Sequence, residues 1–179
     1  MLMFTARTTF AIVLMLAAAV AVPAQAKLAR AKAAIAAFYR FDAANSQVFN
    51  RRNIDARKPW FSAELYKLLI NELAREKEFL KANPTDKPHY GDGLPFRPLD
   101  EVCELNGKKY RRQISYGQVT VKGDLGNVDV YFKYPKACSI PDILYAVNIS
   151  LENGRWVIDD IRYFPDDSSL VEDLNRTEY

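Results

Sequence analysis

The chain has 179 residues, with 25 Lys or Arg against 22 Asp or Glu and a formal net charge of +3 at neutral pH. That length suits one ordinary domain, able to bury roughly 70% of its unfolded surface around a single core. The near-balance of charge is far from the concentrated basic surface of a nucleic-acid binder, so nucleic acid is not an expected partner.

Residues 1–26 read as an export signal, with Arg7 as the positive end, an apolar run from Phe10 to Val22, and Ala24-Gln25-Ala26 as the cleavage site. The apolar run falls short of the roughly 20 residues that span a bilayer. A single domain is expected over 27–179. No Cys follows the cleavage site to carry a lipid and no later segment reads as transmembrane, so the expected product is soluble, in the periplasm or secreted. Both cysteines, Cys103 and Cys138, fall in this part, and export places them where disulfides persist. One bridge is expected, stabilising the fold by roughly 3–4 kcal/mol in the chain-entropy model. The alternative is two buried free thiols. A zinc set would need further Cys or His partners nearby, so no metal is expected there, and no cofactor elsewhere.

From Leu28 to about Gln47, Leu28, Ala31, Ile35, Phe38 and Phe41 or Asp42 recur at three- and four-residue steps, which predicts an amphipathic first helix. Asn50-Arg51-Arg52-Asn53 and Lys58-Pro59 break the pattern. A second helix is predicted from Ser62 as N-cap, with Leu65, Leu68, Leu69, Leu73, Phe79 and Leu80 on its apolar side, ending before Asn83-Pro84. Residues 83–100 then combine four prolines and two glycines with Asp86, His89, Asp92 and Asp100. Loops that long within a compact domain are usually functional or mobile.

Beyond the loop the period becomes alternating, and strands are predicted over 110–116, 118–122, 128–134, 143–151 and 155–164, with neighbours antiparallel. The sharpest local signal is Asn153-Gly154 between the last two, because a two-residue type I′ turn needs positive φ at both positions. That turn sets Glu152 opposite Arg155, Leu151 opposite Trp156, Ile149 opposite Ile158 and Val147 opposite Asp160, provided no bulge intervenes. Helices first and strands afterwards give an α+β fold, the helices packed on one face of a curved antiparallel sheet.

Residues Trp60 to Leu69, Gly91 to Phe96, and Asn153 to Arg162 followed by Ser169-Leu170 and Leu174 carry a resemblance. On them the chain resembles the nuclear transport factor 2-like and cystatin-like superfold, and within it a family of exported bacterial domains. The resemblance implies a cone-shaped fold with a concave sheet closed by helices, often with a pocket at the wide end. That superfold hosts enzymes, binding modules, inhibitors and dimerisation domains, so it implies no reaction, and no catalytic residues carry over.

The candidate ligand-binding residues are Asp160, His89, Asp92, Arg112 and Trp156. A carboxylate at Asp160 beside Val147, Ile158 and Trp156 is costly unless paired or neutralised. It is a pocket acid, or it is turned outward by a bulge, or an arginine such as Arg112 answers it. Asp159, expected across from Asn148, reads as a solvated side chain. His89 is the sole histidine and serves as a base, a metal ligand or a plain surface side chain. The acids around it lack the spacing of a calcium loop. Arg51-Arg52, Lys108-Lys109 and Arg111-Arg112 are either an anion-binding surface or solvated charges. The many tyrosines line an interface or cleft, or pack on the sheet. Asn148-Ile-Ser150 and Asn175-Arg-Thr177 match the glycosylation acceptor pattern.

These readings converge on an exported binding or inhibitory module that meets a protein or small-molecule ligand of the cell envelope through its concave face or the 83–100 loop. An envelope accessory protein and a toxin-immunity protein both fit. The alternatives are a small pocket enzyme of the hydrolase, hydratase or isomerase type using Asp160 with His89 or a Tyr, and a structural homodimer formed sheet to sheet.

Overall fold

The computed structural model describes the backbone of residues 6–99 and 102–176 and the side chains of residues 24–99 and 102–176. The side chains of the predicted export signal from Arg7 to Val22, together with Asp100 and Thr177, lie outside the described residues. Helix α1 (Ala6–Ala44) runs without a break through residues 24–26. Among the described residues, no helix is long and apolar enough to cross a membrane.

Helix α1 buries Ala31, Ile35, Phe38, Tyr39 and Asp42, a stripe at three- and four-residue steps. Of the two candidates at its end, Asp42 is the buried one, and Phe41 lies half-buried against Trp60 with ring centroids 4.7 Å apart. The helix stops at Ala44, earlier than predicted, because side chains turn back onto its last carbonyls. Asn45 Nδ2 donates to Phe41 O at 2.7 Å and Gln47 Nε2 to Asp42 O at 2.7 Å. The polar stretch read as a break contains a second, short helix, α2 (Arg51–Arg57). Asn50 is its N-cap, Oδ1 accepting from Asn53 N at 2.9 Å.

Helix α3 (Ala63–Ala82) begins and ends as predicted, with Ser62 Oγ accepting from Leu65 N at 3.3 Å and the chain leaving at Asn83. Its buried stripe is Leu65, Leu69, Glu72 and Glu76. The apolar side predicted through Leu73 and Phe79 is only half-buried, and Leu80 is exposed.

The sheet is open and antiparallel, in the order β3 (Gln113–Lys122), β4 (Leu125–Lys133), β5 (Ile143–Glu152), β6 (Arg155–Phe164) and β7 (Ser168–Ser169). A separate small hairpin, β1 (Cys103–Leu105) and β2 (Lys108–Tyr110), precedes it. Its turn is Asn106-Gly107, with φ of 52° and 75°, the same chemistry as Asn153-Gly154 at 50° and 78°. Tyr110 thus belongs to β2, and the two strands predicted over 110–116 and 118–122 are a single strand with a bulge between Tyr116 and Val119. Cys103 and Cys138 form the expected disulfide, Cα atoms 5.8 Å apart, which ties the small hairpin to the β4–β5 connection.

Val128, Val130, Phe132, Val147, Ile149, Ile158 and Ile161 face α1, α3 and the short helix α4 (Leu170–Asn175) across one core. Burying each aliphatic side chain contributes about 1.5–3 kcal/mol relative to exposure. The first part of α1 after residue 26 is fastened to hairpin turns and the edge strand. Lys27 pairs with Asp124 at 3.2 Å, Arg30 Nη2 donates to Gly154 O at 3.1 Å and Lys32 Nζ to Tyr116 O at 3.3 Å.

The β5–β6 register follows the turn as far as Ile149 opposite Ile158 and then slips at a bulge. Asp160 therefore pairs with Asn148, and Ile161, not Asp160, faces Val147. The slip keeps an aliphatic residue on the core side and removes the acid from it.

Candidate functional site

Two carboxylates on α3 start the site. Glu72 and Glu76, four residues apart, continue the inward stripe set by Leu65 and Leu69. Burying a carboxylate requires partners, and these come from the loop and the C-terminal helix. Glu76 accepts the backbone N–H of Tyr90 at 2.6 Å, and Glu72 lies 3.3 Å from His89 Nδ1. Arg75 Nε donates to Glu72 at 2.6 Å, while its Nη2 reaches Leu174 O at 2.7 Å. Burial holds the Glu76 carboxyl above its usual value, the Tyr90 N–H pulls it back down, and Glu72 raises it again.

The long loop is pinned elsewhere too. Leu94 N donates to Gln47 O at 2.7 Å, and Tyr163 donates its hydroxyl hydrogen to Pro95 O at 3.1 Å. Gly93 makes the first contact possible, since at φ +144° a Cβ would come within 3.1 Å of Gln47 O. Arg97 Nε sits 3.3 Å from Asp42 Oδ2, an ion pair not aligned as a hydrogen bond. Asp42 Oδ1 in turn accepts from Arg57 Nε at 2.7 Å, with both side chains fully buried. The rest of the Arg57 fork donates to Asn53 O at 2.9 Å and Ser46 O at 3.1 Å. A loop read from its prolines and glycines as functional or mobile is thus clamped to α1, the α1–α2 connection, α3 and β6.

Clamping it there leaves a groove of about 500 Å³ between the loop and the β5-start, β6-end side of the sheet. Tyr90, Tyr145 and Tyr163 wall it on the core side, Phe164 and Leu99 stand at its exposed rim, and His89, Asp92, Arg97, Asp166 and Asp173 border it. Burial pushes the three tyrosine hydroxyls well above their ordinary value, so they stay neutral across the physiological range. Tyr39, behind them on α1, is raised by burial as well. Burial also raises the Asp173 carboxyl, against the opposing pull of Arg176 and His89. The His89 ring is stacked on Tyr90, centroids 4.2 Å apart.

Of the sequence-derived candidates, the structure brings His89 and Asp92 to this groove. Asp160 is elsewhere: its Oδ1 accepts from Ile161 N at 2.8 Å and Val171 N at 2.9 Å, a structural use at the start of α4. Asp159, expected opposite Asn148 and solvated, is the bulged residue, and it accepts from Ser150 Oγ at 3.0 Å. Trp156 sits at the turn end of β6, away from the groove, with Lys27 Nζ 5.6 Å from its ring. Arg112 lies over the Tyr134 ring at 4.7 Å and donates to Pro141 O at 3.2 Å. Arg51, half of one basic pair, is engaged by Asp55 at 2.8 Å and Tyr66 at 3.1 Å. Glu72, Glu76 and Asp42 are the site residues that the reading of the sequence missed as a set. Their signal is positional: each occupies a step of its helix's buried stripe.

Chemically the groove offers neutral tyrosine hydroxyls, carboxylates, an imidazole backed by a buried carboxylate, and aromatic walls. Among the described residues no group of His, Cys, Asp and Glu is arranged to hold a metal ion, and both cysteines are in the disulfide. Comparison with protein-family models, with curated proteins and with solved structures finds no match to this chain.

Proposed function

We propose that the protein is an exported, non-enzymatic binding or inhibitory module of the cell envelope, built on the cone-shaped nuclear transport factor 2-like plan, with its ligand held in the groove under the 83–99 loop. The observation that carries the reading is the clamp. Three buried acids, Asp42, Glu72 and Glu76, are committed to holding a Pro/Gly-rich loop in one position, and what that position creates is an open, aromatic-walled groove. Preorganising a loop lowers the entropy a ligand must overcome. The disulfide is the chemistry of an oxidising compartment, which supports export. A fragment screen by NMR on the purified protein tests the site. Shifts concentrated on 89–99 and 143–145 support it, whereas fragments that reproducibly select another surface refute it.

The contact between His89 and Glu72 favours a second reading, a pocket enzyme in which an imidazole oriented by a buried carboxylate acts as base. It differs from the expectation in its acid, since Asp160 is used by backbone donors. His89→Gln, whose side-chain amide can still donate to Glu72, separates the two readings: it abolishes turnover in the enzyme and weakens groove occupancy by no more than a few-fold in the binding module. The sheet-to-sheet homodimer has less support. The face opposite the helices carries Asn127, Asp129, Asn148 and Ser150, with Asn127 Nδ2 donating to Asn148 Oδ1 at 3.0 Å.

A further inference from the structure

Among the described residues, all but one of the charges bordering the groove are already matched within the protein. His89 lies against Glu72, Asp92 pairs with Lys87, Arg97 with Asp42, and Asp173 with Arg176 at 3.1 Å. Asp166 is the bordering charge without an ion pair among the described residues. Such a border gives little Coulombic advantage to a strongly charged ligand, because each new ion pair, except one made to Asp166, would have to displace an existing one.

What the groove does offer is neutral hydrogen-bonding capacity beside flat apolar surface. The Tyr90 hydroxyl is buried and has no hydrogen-bond partner among the described residues. A tyrosine hydroxyl both donates and accepts, and an aromatic ring presents a face to C–H groups. Sugar rings carry that pairing of properties: hydroxyls around the rim, C–H groups on the faces, little or no charge. The volume of about 500 Å³ falls in the range of small-ligand sites, roughly 300–1,000 Å³.

We propose that the groove binds a saccharide, its ring faces against Tyr145, Tyr163 and Phe164 and its hydroxyls read by the tyrosines and Asp166. This rests on the groove being the ligand site. A strand of a wall glycan and a free oligosaccharide share the chemistry.

The test is a ¹⁵N NMR titration of the purified protein with chitobiose and cellobiose, with inorganic phosphate, trilysine and triglutamate as charged comparators. The expected result is saturable shifts at Tyr145, Tyr163, Phe164 and the 89–99 amides with at least one disaccharide. Phe164→Ala, which removes a rim side chain 36% exposed, is expected to weaken binding about tenfold, and Asp166→Asn by a few-fold, each variant retaining a cooperative thermal transition well above the titration temperature. Groove shifts with a charged comparator and none with either sugar overturn the saccharide and leave the groove as a site. Shifts outside the groove with every probe, or no shift at all, overturn both. Co-sedimentation with insoluble peptidoglycan assigns a polymer source, and retention of free disaccharide without co-sedimentation assigns a soluble one; either supports the proposal.

Discussion

Replacing Asp42 by Asn removes the negative charge from an ion pair whose two side chains are both fully buried, while keeping the side chain's shape. Arg57 is fully buried and loses its counter-charge at 2.7 Å, and Arg97 loses the partner at 3.3 Å that holds the groove border. Removing one partner of a buried pair costs roughly 3–5 kcal/mol. Arg57 keeps its bonds to Asn53 O and Ser46 O, which places the expected loss near the lower end, about 3 kcal/mol. For a chain of this size that corresponds to a fall in Tm of about 6–12 °C. Urea unfolding followed by circular dichroism gives the number, and hydrogen exchange at Leu94 N–H, bonded to Gln47 O, reports the loosening of the loop. The companion variant Asp42→Asn/Arg57→Met removes both charges at similar volume and is expected to recover at least half of the loss. An unchanged urea midpoint for Asp42→Asn, or a double variant less stable than the single one, would refute the clamp as the source of the loop's order.

Cys103→Ser with Cys138→Ser is expected to destabilise by roughly 3–4 kcal/mol, and reductant applied to the wild type should reproduce that change in the unfolding midpoint. Gly93→Ala forces a Cβ to 3.1 Å from Gln47 O at a φ that side chains rarely adopt, so a loss of about 1–3 kcal/mol is expected, with faster exchange confined to the loop and residues 45–49. Glu76 titrates higher in the folded chain than the usual 4.5, so its contribution to stability is full below that value and fades as pH rises through its folded pKa. Glu76→Gln, whose amide oxygen can still accept from Tyr90 N, should therefore gain relative to the wild type as pH rises from 4.5 towards neutrality. Urea midpoints across that window check it; a gain that shrinks with rising pH is the opposite sign and defeats the argument.

The two-layer α+β plan was legible because its signals are local. Ser62 caps α3, Asn153-Gly154 turns the last hairpin, and the inward stripe of α1 runs at helical spacing. Asn106-Gly107 carries the same signal as Asn153-Gly154 but joins strands of three residues, too short for alternation to register. The bulge at Asp159 was not legible in the strand pattern, because what settles it lies outside the hairpin. Val171 N claims Asp160, and Ser62 N donates to Ile158 O at 2.9 Å, both from the side of β6 away from β5. The acids of the site were hidden for a related reason. A glutamate on an apolar stripe reads as an error in the period unless its donor is known, and the donor to Glu76 is a backbone N–H beyond Pro84 and Pro88. The Asp42 step was visible and left open against Phe41, since hydrophobicity alone favours the phenylalanine.

Arg75 couples the groove to the docking of α4. It joins Glu72, and through it the His89 loop, to the carbonyls of Leu174 and Arg176, while Asp173 from the same short helix forms part of the border. Fraying of α4 therefore acts on both together: Arg75 loses two acceptors at the moment Asp173 leaves the border, so occupancy of the groove and docking of this short helix are coupled, and a filled groove is expected to slow exchange at the α4 amides.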